Sequence, residues 1–194
     1  MGGNAGAPGF PPEFLAALRI LADASEDAAV GGHPRPVLVG GAAVELWTSG
    51  RYVSGDFDLV TSDPSPIERA LLARGFRRED RSGYLLRGLY HPMLGIGVEF
   101  VSGQLFDGRS DRRRLRSVDV GDGKKIVVIP PEDVIADRLG QDAAASGSDR
   151  RQLVLARMVY QLAQDLDAAY LLRRVADETG VSVTDTELRE LLSP

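Results

Sequence analysis

The sequence predicts a mixed α/β fold, a small mixed sheet flanked by helices, with a helical C-terminal part. Three observations carry this. Apolar residues recur at three- and four-residue steps in "PEFLAALRILADASEDAA" and "SPIERALLARG", the spacing of amphipathic helices. Short apolar runs bounded by turn residues, "VLVG", "DFDLV" and "KIVVI", read as buried strands. After Ile129 only helical patterns remain. The expected division is a flexible arm over residues 1–12, an α/β domain over 13–130 and a helical part over 131–194.

Each element has a local reason. The opening "MGGNAGAPGFPP" is rich in small and turn residues, and the first helix follows it. "GGHPRP" is a loop before the strand "VLVG", and "AAVELWTSG" is a short helix closed by Gly50. "DFDLV" is the next strand. In "SPIERALLARG", Ser65 and Glu68 have capping-box spacing, Pro66 stands at the expected first helical position and Gly75 ends the helix. "GYLLRGLY", "IGVEFVSG", "RSVDVG" and "KIVVI" are strand candidates, with "GDG" as a hairpin turn between the last two. "PPEDVIADRLGQ" begins the helices, "DAAASGSDR" is a loop, and "RQLVLARMVYQLAQ", "LDAAYLLRRVADETG" and "TDTELRELL" complete them. Thr184 and Glu187 make a second capping box.

Composition narrows the function. The 194 residues are 43% apolar and 26% charged, enough for a buried core and ordinary for a globular chain. A net charge of -5 supplies no global field for nucleic acid. Without cysteine there is no disulfide or thiolate site, and two histidines argue against a histidine-rich zinc centre. A metal here would be held by carboxylates, which suits Mg²⁺ or Mn²⁺. No apolar run reaches about 18 residues, and the N-terminus lacks a basic start and an apolar core, so no membrane span or signal peptide is expected and the cytoplasm is the expected location.

The chemistry concentrates between Val37 and Val60. Alternate strand residues share a face, so Asp56 and Asp58 point together, their Cα atoms about 6.6 Å apart at ~3.3 Å per residue. Phe57 and Leu59 point the other way. Glu99, flanked by Val98 and Phe100, is a third carboxylate that joins them if its strand lies beside "DFDLV". Three buried carboxylates repel, and a divalent cation relieves this. A solvated turn is the plainer reading of a bare Asp-x-Asp, since Ser-Gly-Asp is also loop chemistry. Gly40 and Gly41 follow the strand "VLV" and precede a helix, where free N–H groups attract phosphate; a plain strand-to-helix turn needs glycine equally. There is no Walker lysine and no G-x-G-x-x-G after a strand.

Together, Gly40-Gly41, a short helix, Ser54, Asp56-x-Asp58 and a later Glu99 resemble the nucleotidyltransferase superfamily typified by polymerase β. The spacer Ala42 to Gly55 is slightly longer than usual. "GGAAVELWTSGRYVSGDFDLV" is most similar to bacterial nucleotidyltransferase-like proteins, including those related to AbiE-type toxins. "IPPEDVIADRLGQ" and "QDLDAAYLLRRVADETG" extend the resemblance over about Pro36 to Gly180. It implies transfer of a nucleoside monophosphate from a nucleoside triphosphate to an acceptor hydroxyl. Asp56, Asp58 and Glu99 would hold Mg²⁺ or Mn²⁺ and act as catalytic residues. Gly40, Gly41 and Ser54 would hold phosphates, with Arg51 and Arg138 as nucleotide-binding counter-charges. Arg138 stands where the toxin relatives commonly have lysine; an ion pair with Asp137 or Glu132 is its plainer role. The acceptor, whether small molecule, RNA or protein, is not legible, and an antitoxin partner is implied only by the toxin resemblance. Two alternatives stay open: a non-catalytic binding or antitoxin module on the same fold, and a haloacid-dehalogenase-like phosphatase, whose Asp-x-Asp-x-Val pattern "DFDLV" fits but whose nucleophile strand should be apolar before the first Asp. The arginine run "RSDRRRLR" reads as a solvated loop that could attract RNA. His91 reads as a turn residue with catalysis as the alternative, and Trp47 as core.

Overall fold

The computed structural model describes residues 9–79, 88–145 and 150–193. Helix α1 (Pro12–Val30) leads into β1 (Val37–Val39), α2 (Gly40–Trp47), β2 (Asp56–Val60) and α3 (Pro64–Leu72). Strands β3 (Arg77–Arg78), β4 (Leu89–His91), β5 (Ile96–Ser102), β6 (Arg116–Asp119) and β7 (Lys125–Val128) follow. Helices α4 (Pro131–Ala144), α5 (Arg151–Leu162), α6 (Ala168–Thr179) and α7 (Asp185–Leu192) complete the chain.

The strands form one mixed sheet in the order β3-β4-β5-β2-β1-β7-β6. β1 runs antiparallel to β2 and parallel to β7, and β2 runs parallel to β5. Central strands are buried on their apolar side: Phe57 and Leu59 are inaccessible, and Phe14 of α1 meets Phe57 edge-on with ring centroids 5.4 Å apart. The other face of β2 carries Asp56 and Asp58. Helix α2 packs on β2 and also touches α4 and α5. Trp47 is half-buried, and its Nε1 donates to the carbonyl of Ile129 at 3.0 Å, tying the end of α2 to the start of α4.

Several local expectations change. Helix α2 begins at Gly40 itself, so the glycine pair is its first turn. Helix α3 begins at Pro64 with Asp63 as N-cap and no side-chain cap, which places Ser65 inside the helix, where it cannot serve as cap. Proline's fixed φ starts the helix two residues earlier than Pro66 would. Glu68 instead accepts from Arg78 at 2.8 Å, joining α3 to β3. The second capping box forms at Thr184 and Glu187. Gly121 and Gly123 both adopt positive φ in the β6–β7 turn, the conformation the "GDG" hairpin requires. Of the supposed arm, residues 1–8 lie outside the described residues, while Phe10 stacks on Phe14 at 5.8 Å. Most of "GYLLRGLY" and part of "DAAASGSDR" also lie outside them. Among the described residues no helix is long and apolar enough to cross a membrane.

Candidate functional site

The register of β2 on β5 sets Asp58 directly beside Glu99 and Asp56 beside Gly97. Asp56, Asp58 and Glu99 therefore share one face of adjacent central strands. Their side chains run from exposed Asp56 to half-buried Asp58 and Glu99. Burial, followed by repulsion from Asp56 and Glu99, pushes the Asp58 carboxyl up to about 6; Arg138 and the Gly41 N–H, which donates to it, act in the opposite direction. Among the described residues no three acidic or histidine side chains are gathered in ligating geometry. In donor chemistry alone, three carboxylates on one face of adjacent strands are of the kind a hard divalent cation takes.

The glycine pair is explained by what it touches. Gly40 has φ of +63°, and a Cβ there would lie 1.9 Å from Asp58 Oδ2. A Cβ on Gly41 would lie 2.7 Å from Ser54 Oγ. Both glycines thus let acidic and hydroxyl side chains reach the start of α2. Ser54 is buried, and its hydroxyl donates to the Asp56 carbonyl at 3.0 Å with Asp56 Oδ1 at 3.5 Å.

A cavity of about 310 Å³ opens beside Asp58. Val39, Gly40, Val60, Val101, Phe106 and Arg138 form part of its wall. The pairing of β2 with β5 slips after Leu59, so that Val60 faces Ser102, a bulge at the cavity edge. Phe106 and Asp107, also in the wall, both adopt left-handed φ, 46° and 53°. Arg138 is buried and forks onto Asp137 Oδ2 at 2.6 and 3.1 Å while donating to Gln152 at 3.1 Å. It is thus held by Asp137 and not by Glu132. Arg51 is exposed in the α2–β2 loop and does not line this cavity.

The arginine run departs from the solvated-loop expectation. Arg109 donates to the Asp177 carbonyl at 2.7 Å and faces Glu178 at 3.3 Å; Arg114 pairs with Asp167 at 2.9 Å and lies over the Tyr170 ring. Ser110 Oγ donates to Asp133 Oδ2 at 2.6 Å, and Tyr170 OH and Arg174 Nε donate to Asp133 Oδ1 at 2.9 and 2.6 Å. Only Arg112, Arg113 and Arg116 of the run stay exposed. The buried Asp133 of α4 and the less buried acceptors Asp167, Asp177 and Glu178 at and along α6 hold the segment in. His91 ends strand β4 at the edge of the β4–β5 turn, one residue short of the turn position expected: it pairs with Ile96, its Nδ1 accepts from the Leu94 N–H at 3.3 Å and its ring meets Phe76 edge-on.

Sequence reasoning missed Glu45. It is fully buried, its Oε2 accepts the Ser54 N–H at 2.6 Å, and among the described residues its Oε1 meets no partner. The signal was available: Glu45 follows Gly41 by four residues, so both occupy the α2 face turned to Ser54.

No known family profile matches this chain, and no curated protein is similar to it in sequence. Solved structures are. An antigenic nucleotidyltransferase-like protein from Paracoccidioides brasiliensis superposes over 96% of this chain and 94% of its own, with a TM-score of 0.63 at 17% identity. The antibiotic-resistance factor ANT(2'')-Ia, known from a solution structure, superposes over 84% of this chain and 89% of its own, with a TM-score of 0.53 at 12% identity. Across nearly its whole length, the chain has the nucleotidyltransferase fold.

Proposed function

We propose that the protein is a metal-dependent nucleotidyltransferase, moving a nucleoside monophosphate from a nucleoside triphosphate to an acceptor hydroxyl. The observation that carries this is the alignment of Asp58 with Glu99, and of Asp56 on the same face, beside the Gly40–Gly41 start of α2. In this reading Asp56, Asp58 and Glu99 hold Mg²⁺ or Mn²⁺. When bound, such cations offset charge on the phosphates and align attacking and leaving oxygens. The remaining work falls to the chain. The amides at the start of α2 offer donors to phosphate, with Ser54 beside them. Arg138, which lines the cavity, supplies positive charge, and Arg51, outside the cavity wall, is a counter-charge only for a ligand that extends past it. The acceptor oxygen attacks the α-phosphorus, its bond to the bridging oxygen breaks, pyrophosphate leaves, and Glu99 takes the hydroxyl proton.

Calorimetry of ATP, GTP, CTP and UTP with and without Mg²⁺ tests the reading. Binding that requires Mg²⁺ and disappears in Asp56→Asn/Asp58→Asn is the expected result; absent binding, or binding unchanged in the variant, rejects it. A non-catalytic module on this fold predicts binding without turnover. Transfer of label from α-³²P nucleotides to cell RNA, protein or small molecules identifies the acceptor class, and label in a host RNA or protein is what a toxin role requires. The phosphatase alternative predicts phosphate release from a chromogenic ester.

A further inference from the structure

We infer that Glu45 is a positioning residue for the carboxylate site, acting through Ser54 on Asp56. The inference rests on the proposed nucleotidyl transfer and adds a residue to it. The chain of contacts is short. Glu45 Oε2 accepts the Ser54 N–H at 2.6 Å, and Ser54 Oγ donates to the Asp56 carbonyl at 3.0 Å. Gly41, one helical turn before Glu45, leaves room for the Ser54 hydroxyl against the same helix face. Ser54 is thus gripped at its amide by Glu45 and backed at its side chain by Gly41, immediately ahead of the Asp56–Val60 strand. Helix α2 also carries the Gly40 corner that meets Asp58. One rigid helix therefore sets both ends of the Asp-x-Asp segment, Asp58 by direct contact and Asp56 through Ser54.

A simple packing role does not account for a carboxylate here. Glu45 is 0% exposed, and among the described residues its Oε1 has no hydrogen-bond partner. A leucine would fill the volume without burying an unsatisfied polar atom. The carboxylate supplies what leucine lacks, an acceptor that fixes the loop entering β2. Glu45 meets no reacting atom, so its effect is on the placement of Asp56 and on binding that depends on it.

The test uses the full chain with Glu45→Ala, Glu45→Leu and Glu45→Gln, with Ser54→Ala, and with the double variant Glu45→Leu/Ser54→Ala. Glu45→Leu preserves volume and stands in should Glu45→Ala fail to fold. Hydrogen exchange at the Ser54 amide, read by NMR, reports the brace without any nucleotide. Exchange is expected to accelerate roughly tenfold or more without the acceptor and to stay slow in Glu45→Gln, whose amide oxygen can still accept. Calorimetric affinity for Mg²⁺ with each of ATP, GTP, CTP and UTP should follow the same order: about tenfold weaker in Glu45→Leu, near wild type in Glu45→Gln. In the Ser54→Ala background the Glu45→Leu penalty should largely vanish, because both changes act on one path. Unchanged Ser54 exchange in Glu45→Leu, failure of Glu45→Gln to rescue, or additive penalties overturn the inference. If wild-type protein binds none of the four nucleotides while Glu45→Leu still frees the Ser54 amide, the transferase reading falls and the brace stands.

Discussion

Two single residues at the start of α2 decide how the site is held. Gly40 combines φ of +63° with a Cβ position 1.9 Å from Asp58 Oδ2, so alanine there fails twice. Left-handed backbone costs a non-glycine residue about 1–2 kcal/mol, and Asp58 must also move. Gly40→Ala is expected to lower unfolding free energy by at least that amount in urea titration and to abolish Mg²⁺-dependent nucleotide binding. Gly41→Ala should be milder, because its φ is not left-handed and its clash is with a serine hydroxyl. Glu45 brings a pH signature. Burial pushes its carboxyl from 4.5 up to about 7, opposed by the Ser54 N–H. The folded protein therefore binds this proton more tightly than the unfolded chain. Stability from this group is whole below about 4.5, falls as pH climbs towards about 7, and is lost above it. Glu45→Gln should accordingly gain stability over wild type between pH 5 and pH 8, with an upper bound on the order of 3 kcal/mol at about 1.4 kcal/mol per pH unit. Urea midpoints across that range measure it, and a pH-independent difference contradicts the burial argument.

At the level of elements, periodicity carried most of the fold. The helices α1, α4, α5, α6 and α7 and the strands β1, β2, β5 and β7 stand where apolar spacing puts them, because each buries apolar residues against the core, while β6 stands where expected without a buried residue of its own. The shared face of the three carboxylates was equally legible, since alternation orients Asp56 and Asp58 and the neighbouring strand places Glu99 beside Asp58. What sequence could not give was long-range pairing. Nothing local tells the arginine run that Asp133, Asp167, Asp177 and Glu178 lie within reach, or that Asp63 rather than Ser65 precedes α3. The strongest such pairing joins α4 to α6. Asp133 and Arg174 are both inaccessible, and Asp133 also accepts from Ser110 and Tyr170 while Arg174 reaches Glu178. A satisfied buried pair adds little over an apolar replacement, but removing one partner strands a charge, at a cost of about 3–5 kcal/mol. Arg174→Met should therefore be destabilised by that order in chemical unfolding, and Arg174→Met/Asp133→Leu by less than Arg174→Met alone. A double variant weaker than both singles would mean that the Ser110 and Tyr170 bonds, not the ion pair, hold the junction.

Across the whole molecule, α2 is where the sheet meets the C-terminal helices. It leaves β1 at the carboxylate face, packs on β2, α4 and α5, and is pinned by Trp47 to the Ile129 carbonyl. Arg138 of α4 lines the cavity beside Asp58 and acts on that carboxylate. A ligand seated between the β2 face and α4 would therefore tie together segments that sequence separates by some eighty residues. The β6–β7 turn, with exposed Asp122 and Gly123, and the exposed side of α7 lie on elements that contribute nothing to the cavity wall. Hydrogen exchange should reveal that division. At a nucleotide concentration 100 times its Kd, with Mg²⁺, binding to the folded state stabilises by about 2.7 kcal/mol, so amides that exchange only through global unfolding slow roughly a hundredfold. Amides at the start of α2, in β2 and around Arg138 are expected to slow by a comparable factor even where they exchange by local opening, because the ligand closes those openings. Amides in the β6–β7 turn, which open locally without touching the ligand, should keep their rates. Slowing confined to β2 would separate Arg138 from the nucleotide and leave the carboxylate face alone as the binding surface.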